Sequence, residues 1–416
     1  MKVVGIIAEY NPFHNGHKYQ IEQIKERTNA DYVIIAMSGN FLQRGVPALC
    51  DKFTRTKMAL ECGADLVLEI PTLWATASAE YFASGGVATL AHTGVLTHLG
   101  FGAESDDLEG LLEVSSILKE EPDIYRNVLS NSIRSGIAFP AARKNALITS
   151  LPFFSADKLD EILDSPNNIL ALEYLKALPN DITPVLIPRK GAGYHDTNID
   201  ATLPSASAIR EALSQSEELD IDKLTAAMPE ASYQALLPLI KENALLTNDD
   251  FSDMFAYSLF ALQHYGYTYF ADCTGDFSNK ITKHLKKFTS IDDFTQQLKT
   301  KDMTYTRISR ILLHILLNIK QADYNIGKAI GYTPYLRVLG FREEAKPLLS
   351  QIKKKASVPI ITKVADASAK LDYGTYKIFE KDIFASSLYY QVLARKSGQA
   401  PLNEFTNQIV ILPEHK

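Results

Sequence analysis

The densest chemistry in the chain lies in His14-Asn15-Gly16-His17. These residues follow an apolar run at 3–9 (VVGIIAE) and the turn-forming Tyr10-Asn11-Pro12-Phe13, and they open a segment of helical pattern. Pro12 disfavours helical backbone at the residue before it, so the strand ends there. A helix N-terminus presents unpaired N–H groups and the positive end of the macrodipole, both attractive to phosphate. Gly16 has no Cβ, which lets a nucleotide ring or ribose lie against the backbone. His14 and His17, three positions apart, can put two imidazoles on one side of the turn. There they can donate to phosphate oxygens that gain charge as pyrophosphate is displaced, a reaction that demands no general base. No metal is expected at this motif, because two His at this spacing without a placed third ligand do not make a zinc site.

Those side chains need a scaffold, and the flanking pattern supplies one. After the first strand come a helix from His17 to about Thr28, a strand at 31–37 (DYVIIAM) and a helix from Thr54 to Cys62 ending at Gly63. A third strand at 65–70 stops at Pro71; a helix over 79–92 and a fourth strand at 97–101 follow. A helical excursion covers roughly 107–178, a fifth strand is expected at 183–187, and Leu203-Pro204-Ser205 opens another helix. The strands are apolar throughout, as when both faces of a parallel sheet are covered by helices. The expected fold class is therefore α/β: a Rossmann-like, doubly wound parallel sheet with a mainly helical C-terminal region. The first domain is placed at 1–213 and the second at 214–416. Within the second, Arg307–Ile319 has the clearest helical spacing, 358–364 reads as a strand, and Tyr332, Tyr335 and Arg337 read as turn residues.

Composition narrows the setting. Three cysteines, Cys50, Cys62 and Cys273, form no close pair, which fits a reducing compartment and not a disulfide framework. Met1-Lys2-Val3 reaches Glu9 too soon for a secretory signal, and no apolar run approaches the ~20 residues of a membrane span. A cytoplasmic protein with no membrane partner is expected. Residues 250–416 hold 23 Lys plus Arg against 16 Asp plus Glu, whereas 1–249 hold 20 against 33. That asymmetry suggests a nucleic-acid surface on the basic half. Lys280, Lys283, His284, Lys286 and Lys287, with Tyr305, Arg307 and Arg310, are candidates for phosphate neutralisation and base stacking, or simply a solvated helical surface. Arg44, Lys52, Arg55 and Lys57 form a second cationic group at the rim where open α/β sheets bind ligands, read either as triphosphate or nucleic-acid contacts or as a solvated helix face.

HNGH after the first strand resembles the HxGH signature of the nucleotidyltransferase superfamily, which is shared with class I aminoacyl-tRNA synthetases. Ser205-Ala206-Ser207-Ala208-Ile209-Arg210 resembles its second signature, ISSTxIR, with Ala206 and Ser207 as departures and Arg210 kept. The segments VVGIIAEYNPFHNGHKYQ, MSGNFLQRGVPALCDKFTRTKMAL, GADLVLEIP, FGAES, SPNNIL and YLRVLGF are together similar to the bacterial tRNA(Met) cytidine acetate ligase family. That resemblance implies an ATP-dependent ligase acting on elongator tRNA(Met). Acetate is activated as acetyladenylate with release of pyrophosphate, and the acetyl group passes to N4 of the wobble cytidine.

Carried over by position, it implies His14 and His17 as catalytic residues and an ATP-binding turn made of Ile7, Ala8, Glu9, Tyr10, Asn11, Pro12, Phe13, His14, Asn15, Gly16, His17, Lys18, Tyr19 and Gln20. Gly102, Asn167, Arg189, Ser207 and Arg210 are the further nucleotide contacts, with Asn168 open as a substitute for Asn167. Mg²⁺ is expected with the triphosphate, although no carboxylate cage is visible. Two competitors are a nucleotidyltransferase acting on a small phosphate acceptor and a non-catalytic, ATP-liganded RNA-binding protein. The basic helical half argues against the first. An aminoacyl-tRNA synthetase is disfavoured because no KMSKS-like loop follows the sheet.

Overall fold

In the computed structural model, residues 1–189, 204–215 and 221–414 are described. Five strands form the parallel part of one sheet: β1 (Val3–Ala8), β2 (Tyr32–Ser38), β3 (Leu66–Ile70), β4 (His98–Ala103) and β5 (Thr183–Pro188). They lie in the order β5-β4-β1-β2-β3, so the winding reverses between β1 and β4. Crevices at such reversals, outside the C-terminal ends of the strands, are where open α/β sheets bind ligands.

Alternation along each strand feeds two cores. Val3, Ile34, Ala36 and Leu66 join one apolar cluster, while Val4, Ile6, Val33, Ile35 and Val67 join the other. Successive side chains of a strand point to opposite faces, so continuous apolar runs are what a sheet covered on both sides requires. Helix α1 (Asn15–Thr28) turns Ile21 and Ile24 to the second core and ends at Asn29 in the left-handed conformation (φ 50°). It begins two residues earlier than the sequence suggested, at Asn15. Helix α2 (Lys52–Glu61) also begins two residues early, because the Asp51 carboxylate caps the N–H groups of Phe53 and Thr54. Strand β4 runs past the expected end at Phe101 and so includes Gly102.

The sheet does not stop at residue 213. Strand β6 (Leu336–Arg342) pairs antiparallel with β3; β7 (Ile360–Ile361) and β8 (Val410–Leu412) pair parallel with β6. Tyr335 and Arg337, read from sequence as turn residues, are instead buried at the start of this strand. The reason is long-range: an unfilled edge on β3 accepts an apolar segment, LRVLGF, that is too short to announce itself by periodicity. Elsewhere the C-terminal half is helical as expected, including Tyr305–Leu316 and the 25-residue helix Tyr373–Ser397. Among the described residues no helix is long and apolar enough to cross a membrane.

Candidate active site

A cavity of about 240 Å³ opens at the winding reversal. The C-terminal ends of three strands contribute Ile7, Ala8, Glu9, Gly102, Ile187 and Pro188 to its lining. The chain leaves β1 through Tyr10 at positive φ (50°), and the buried Tyr10 ring packs edge-on against Phe13 and His17, each 4.7 Å away. This apolar wedge seats the start of α1 against the strand.

His14 is the N-cap of α1. Its Nδ1 accepts the Gly16 N–H at 3.0 Å, and the His17 Nδ1 accepts the His14 N–H at 3.3 Å. Each ring therefore uses Nδ1 as an acceptor and carries its proton on Nε2, the nitrogen left to donate. The two rings lie 3.8 Å apart, tilted by 30°. Burial drives the His14 pKa down to about 3, helped by the positive charges of Arg189 and Arg210. Burial likewise holds His17 well below the ordinary range, with His14 and Arg189 adding to the effect. Both imidazoles are neutral N–H donors at physiological pH.

Gly16 lines the cavity and also makes room on its inner side. A Cβ there would stand 2.8 Å from Cε1 of His14 and 3.0 Å from its Nδ1. The missing side chain leaves space for the His14 ring to fold back and cap the helix.

Arg210 reaches the cavity from the helix Ala206–Gln215. Its Nη1 donates to the Asn11 carbonyl (2.7 Å) and its Nη2 to Ser207 Oγ (3.0 Å), so the guanidinium ties the second motif to the turn after β1. Ser205 Oγ accepts from the Ala208 N–H at 3.1 Å and caps that helix. Arg189 leaves the end of β5 through a backbone bond to Ala103 O (2.9 Å). Its Cγ comes within 3.6 Å of where a Cβ on Gly102 would sit. Asn167 lines the cavity and bonds Glu104. Asn168 is wholly buried, with Oδ1 accepting from Ser105 N and Nδ2 donating to Glu161 O, both at 3.0 Å. Its amide is spent on the loop after β4.

A profile of the HIGH nucleotidyl transferases matches residues 1–403. The tRNA(Met) cytidine acetate ligase of Thermoanaerobacter sp. (strain X514) is 39% identical over 416 residues, 99% of this chain and 100% of that protein. The chain belongs to this ligase family of HIGH nucleotidyl transferases. Another member, from Acetivibrio thermocellus, is 37% identical over 430 residues, again 99% of this chain and 100% of the relative. Two crystal structures of Thermotoga maritima TmcAL cover 100% of both chains: the apo form with a TM-score of 0.92 at 31% identity, and a form bound with alpha-thio ATP with 0.90 at 30%. The site thus belongs to a fold that holds an ATP analogue in a full-length structural neighbour.

Of the residues that the ligase family resemblance implied, the structure gathers Ile7 to Asn11, His14, Gly16, His17, Tyr19, Gln20, Gly102, Asn167, Arg189, Ser207 and Arg210 around the cavity. Pro12, Phe13, Asn15 and Lys18 do not line it. Phe13 is core, Asn15 donates to the Ala226 carbonyl (2.7 Å) and Lys18 faces solvent beside Glu22 (3.9 Å). The rim cations divide. Arg44 lines the cavity, but Lys52 and Arg55 are buried structural groups, so they are not a ligand-facing rim. Lys52 Nζ lies 2.8 Å from both Glu69 oxygens and 2.9 Å from Glu404. Arg55 donates to the carbonyls of Glu9, Ser38, Gly39 and Cys50, bracing the ends of β1 and β2. Asp51, between Arg44 and Arg55, is spent as the cap of α2. Lys57 is exposed beside Glu61.

In the basic half, Lys280 donates to the Leu298 carbonyl and Tyr305 to Asp292, while Lys283, Lys286 and Lys287 are exposed. Residues 190–203, which follow Arg189 and include Leu203 at the expected helix opening, lie outside the described residues. Sequence reasoning missed the cavity's apolar lining: Leu42, Phe82, Phe101, Leu170 and Tyr174. Leu170 and Tyr174 are four apart on the helix Pro166–Ala177, a spacing indistinguishable from ordinary core packing without the fold.

Proposed function

We propose that this chain is a tRNA(Met) cytidine acetate ligase. It condenses acetate with ATP to acetyladenylate, releases pyrophosphate, and transfers the acetyl group to N4 of the wobble cytidine of elongator tRNA(Met), in the cytoplasm. The observation that carries the reading is the pair of neutral imidazole N–H donors beside Arg189 and Arg210, at the reversal of a sheet whose chain matches these ligases end to end. In the first step a carboxylate oxygen of acetate attacks the α-phosphorus and the bond to pyrophosphate breaks. Negative charge grows on the α-phosphate and pyrophosphate oxygens. Nε2–H groups that are already oriented stabilise that charge without reorganising. Arg44, Arg189 and Arg210 supply fixed positive charge for the polyphosphate, Arg being suited to bidentate phosphate contact.

The described residues contain no cluster of three His, Cys, Asp or Glu that could cage a metal. Mg²⁺ would be held by triphosphate oxygens and water, the usual manner for this ion. Residues 1–213 are assigned the nucleotide chemistry and 214–416 the tRNA surface, with β6 to β8 crossing over to complete the sheet. The exposed lysines 283, 286 and 287 support a basic RNA-facing surface there. Incubation with ATP, isotopically labelled acetate and tRNA(Met), followed by mass analysis of the nucleosides, tests the assignment. Label in N4-acetylcytidine is the expected result; its absence, with acetate-dependent pyrophosphate release intact, would refute the RNA step.

A further inference from the structure

Acetylation of a cytidine amine releases a proton as well as AMP, and the groups at the cavity are unequal to receiving it. His14 and His17 each have Nδ1 occupied as an acceptor and Nε2 already protonated. Tyr10 and Tyr174 are phenols whose burial raises their pKa above the ordinary value, so they keep their protons. Arg44, Arg189 and Arg210 are permanent cations. Among the described residues that line the cavity, Glu9 is the only carboxylate.

Its placement is fixed from two sides. The Glu9 carbonyl accepts from Arg55 Nη1 at 2.7 Å, which anchors the backbone at the end of β1. Its Oε1 accepts the Gln43 N–H at 2.7 Å, which fixes the carboxylate plane. Among the described residues Oε2 has no hydrogen-bond partner, and the side chain is half-buried in the cavity wall. A carboxylate beside a polyphosphate opposes the substrate's charge, so its presence in this wall calls for a purpose of its own.

We propose that Glu9 is the proton acceptor for the acetyl-transfer step, with Oε2 receiving the N4 proton of the cytidine. This rests on the ligase reading given above. The N4 lone pair attacks the acetyl carbonyl of acetyladenylate and a C–N bond forms. The C–O bond to the α-phosphate breaks, AMP leaves with that electron pair, and the N4 proton passes to Glu9 Oε2 and then to water. The exocyclic amine of cytosine is a weak nucleophile because its lone pair is delocalised into the ring, so proton removal must accompany attack. The adenylation step has no such proton to lose.

The two steps can be separated in Glu9→Gln, which keeps the shape and the Oε1 acceptor for Gln43. With ATP and acetate, hydroxylamine traps acetyladenylate as acetohydroxamate without a base; with tRNA(Met), N4-acetylcytidine reports transfer. Transfer is expected to fall by about 100-fold or more, the usual scale for losing a general base. Hydroxamate formation is expected to fall by less than about tenfold, with ATP affinity and thermal midpoint measured alongside to verify folding. An equal loss of both products, an unchanged transfer rate, or a loss reversed by raising Mg²⁺ would each overturn the assignment. A wild-type enzyme that forms hydroxamate but never acetylates RNA would instead overturn the ligase reading itself.

Discussion

Lys52 and Glu404 meet in the protein interior, Nζ to Oε1 at 2.9 Å, with both side chains at most 3% exposed. Glu69 of β3 shares the ammonium, and Arg337 of β6 lies 3.5 Å from the other Glu404 oxygen. This network joins the first helices to the last segment of the chain. Burial opposes the charge on Lys52, but Glu404 and Glu69 outweigh it and raise its pKa. Replacing Lys52 by Met strips Glu69 of its ammonium partner and leaves Glu404 with the Arg337 ion pair. Breaking a buried pair in this way costs about 3–5 kcal/mol, so the urea midpoint of Lys52→Met should drop sharply.

Replacing His17 by Ala removes one Nε2–H donor and the acceptor for the His14 N–H. Loss of one such donor typically costs about 10²–10³ in rate. Acetate-dependent pyrophosphate release should fall by that factor, with the fold retained in circular dichroism. Unchanged release would remove His17 from the chemistry.

Gly16→Ala tests whether the glycine makes room for the His14 ring or for the ligand. The added Cβ meets that ring at 2.8 Å, and overpacking of this kind costs roughly 1–3 kcal/mol. The His14 ring must swing away, so ATP affinity should weaken by about tenfold, equivalent to about 1.4 kcal/mol. Calorimetric titration of ATP gives the answer. Combining the change with His14→Ala should restore stability but not affinity.

The depressed histidines make stability depend on pH. His14 stays neutral in the folded state down to about pH 3, whereas an unfolded chain binds that proton near pH 6.5. Between those values the unfolded state carries more protons, so stability rises with pH and is lost as pH falls from about 6.5 toward about 3. Denaturant midpoints at pH 7 and pH 5 should show the decline, and His14→Asn should reduce it to the part contributed by His17.

Gly45 sits at φ 78° where a Cβ would come within 2.3 Å of the Arg310 backbone nitrogen, while the Ser309 hydroxyl donates to its carbonyl at 2.8 Å. The loop bearing Arg44 is thus docked on the helix Tyr305–Leu316. Gly45→Ala is expected to destabilise the protein and to lower ATP affinity, both readable from a thermal shift with and without ATP.

Short-range physics made much of this protein legible in its residue order. A glycine between two histidines after a buried strand specifies a helix N-terminus with imidazole donors, and continuous apolar runs specify a sheet covered on both faces. Those signals depend on neighbours within a turn or two of chain. The fate of each cation was another matter. Arg44, Lys52 and Arg55 stand within a dozen residues of one another, yet only Arg44 reaches the cavity, because the acids and carbonyls that claim the other two come from elsewhere: Glu404 lies hundreds of residues away and Glu9 just past the end of β1. Likewise β6 became a strand because β3 offered it an edge, and Glu9 became the one carboxylate among the described residues of a cavity whose other walls arrive from distant segments. Contacts between distant parts of the chain decide such matters, and only the folded molecule brings them together.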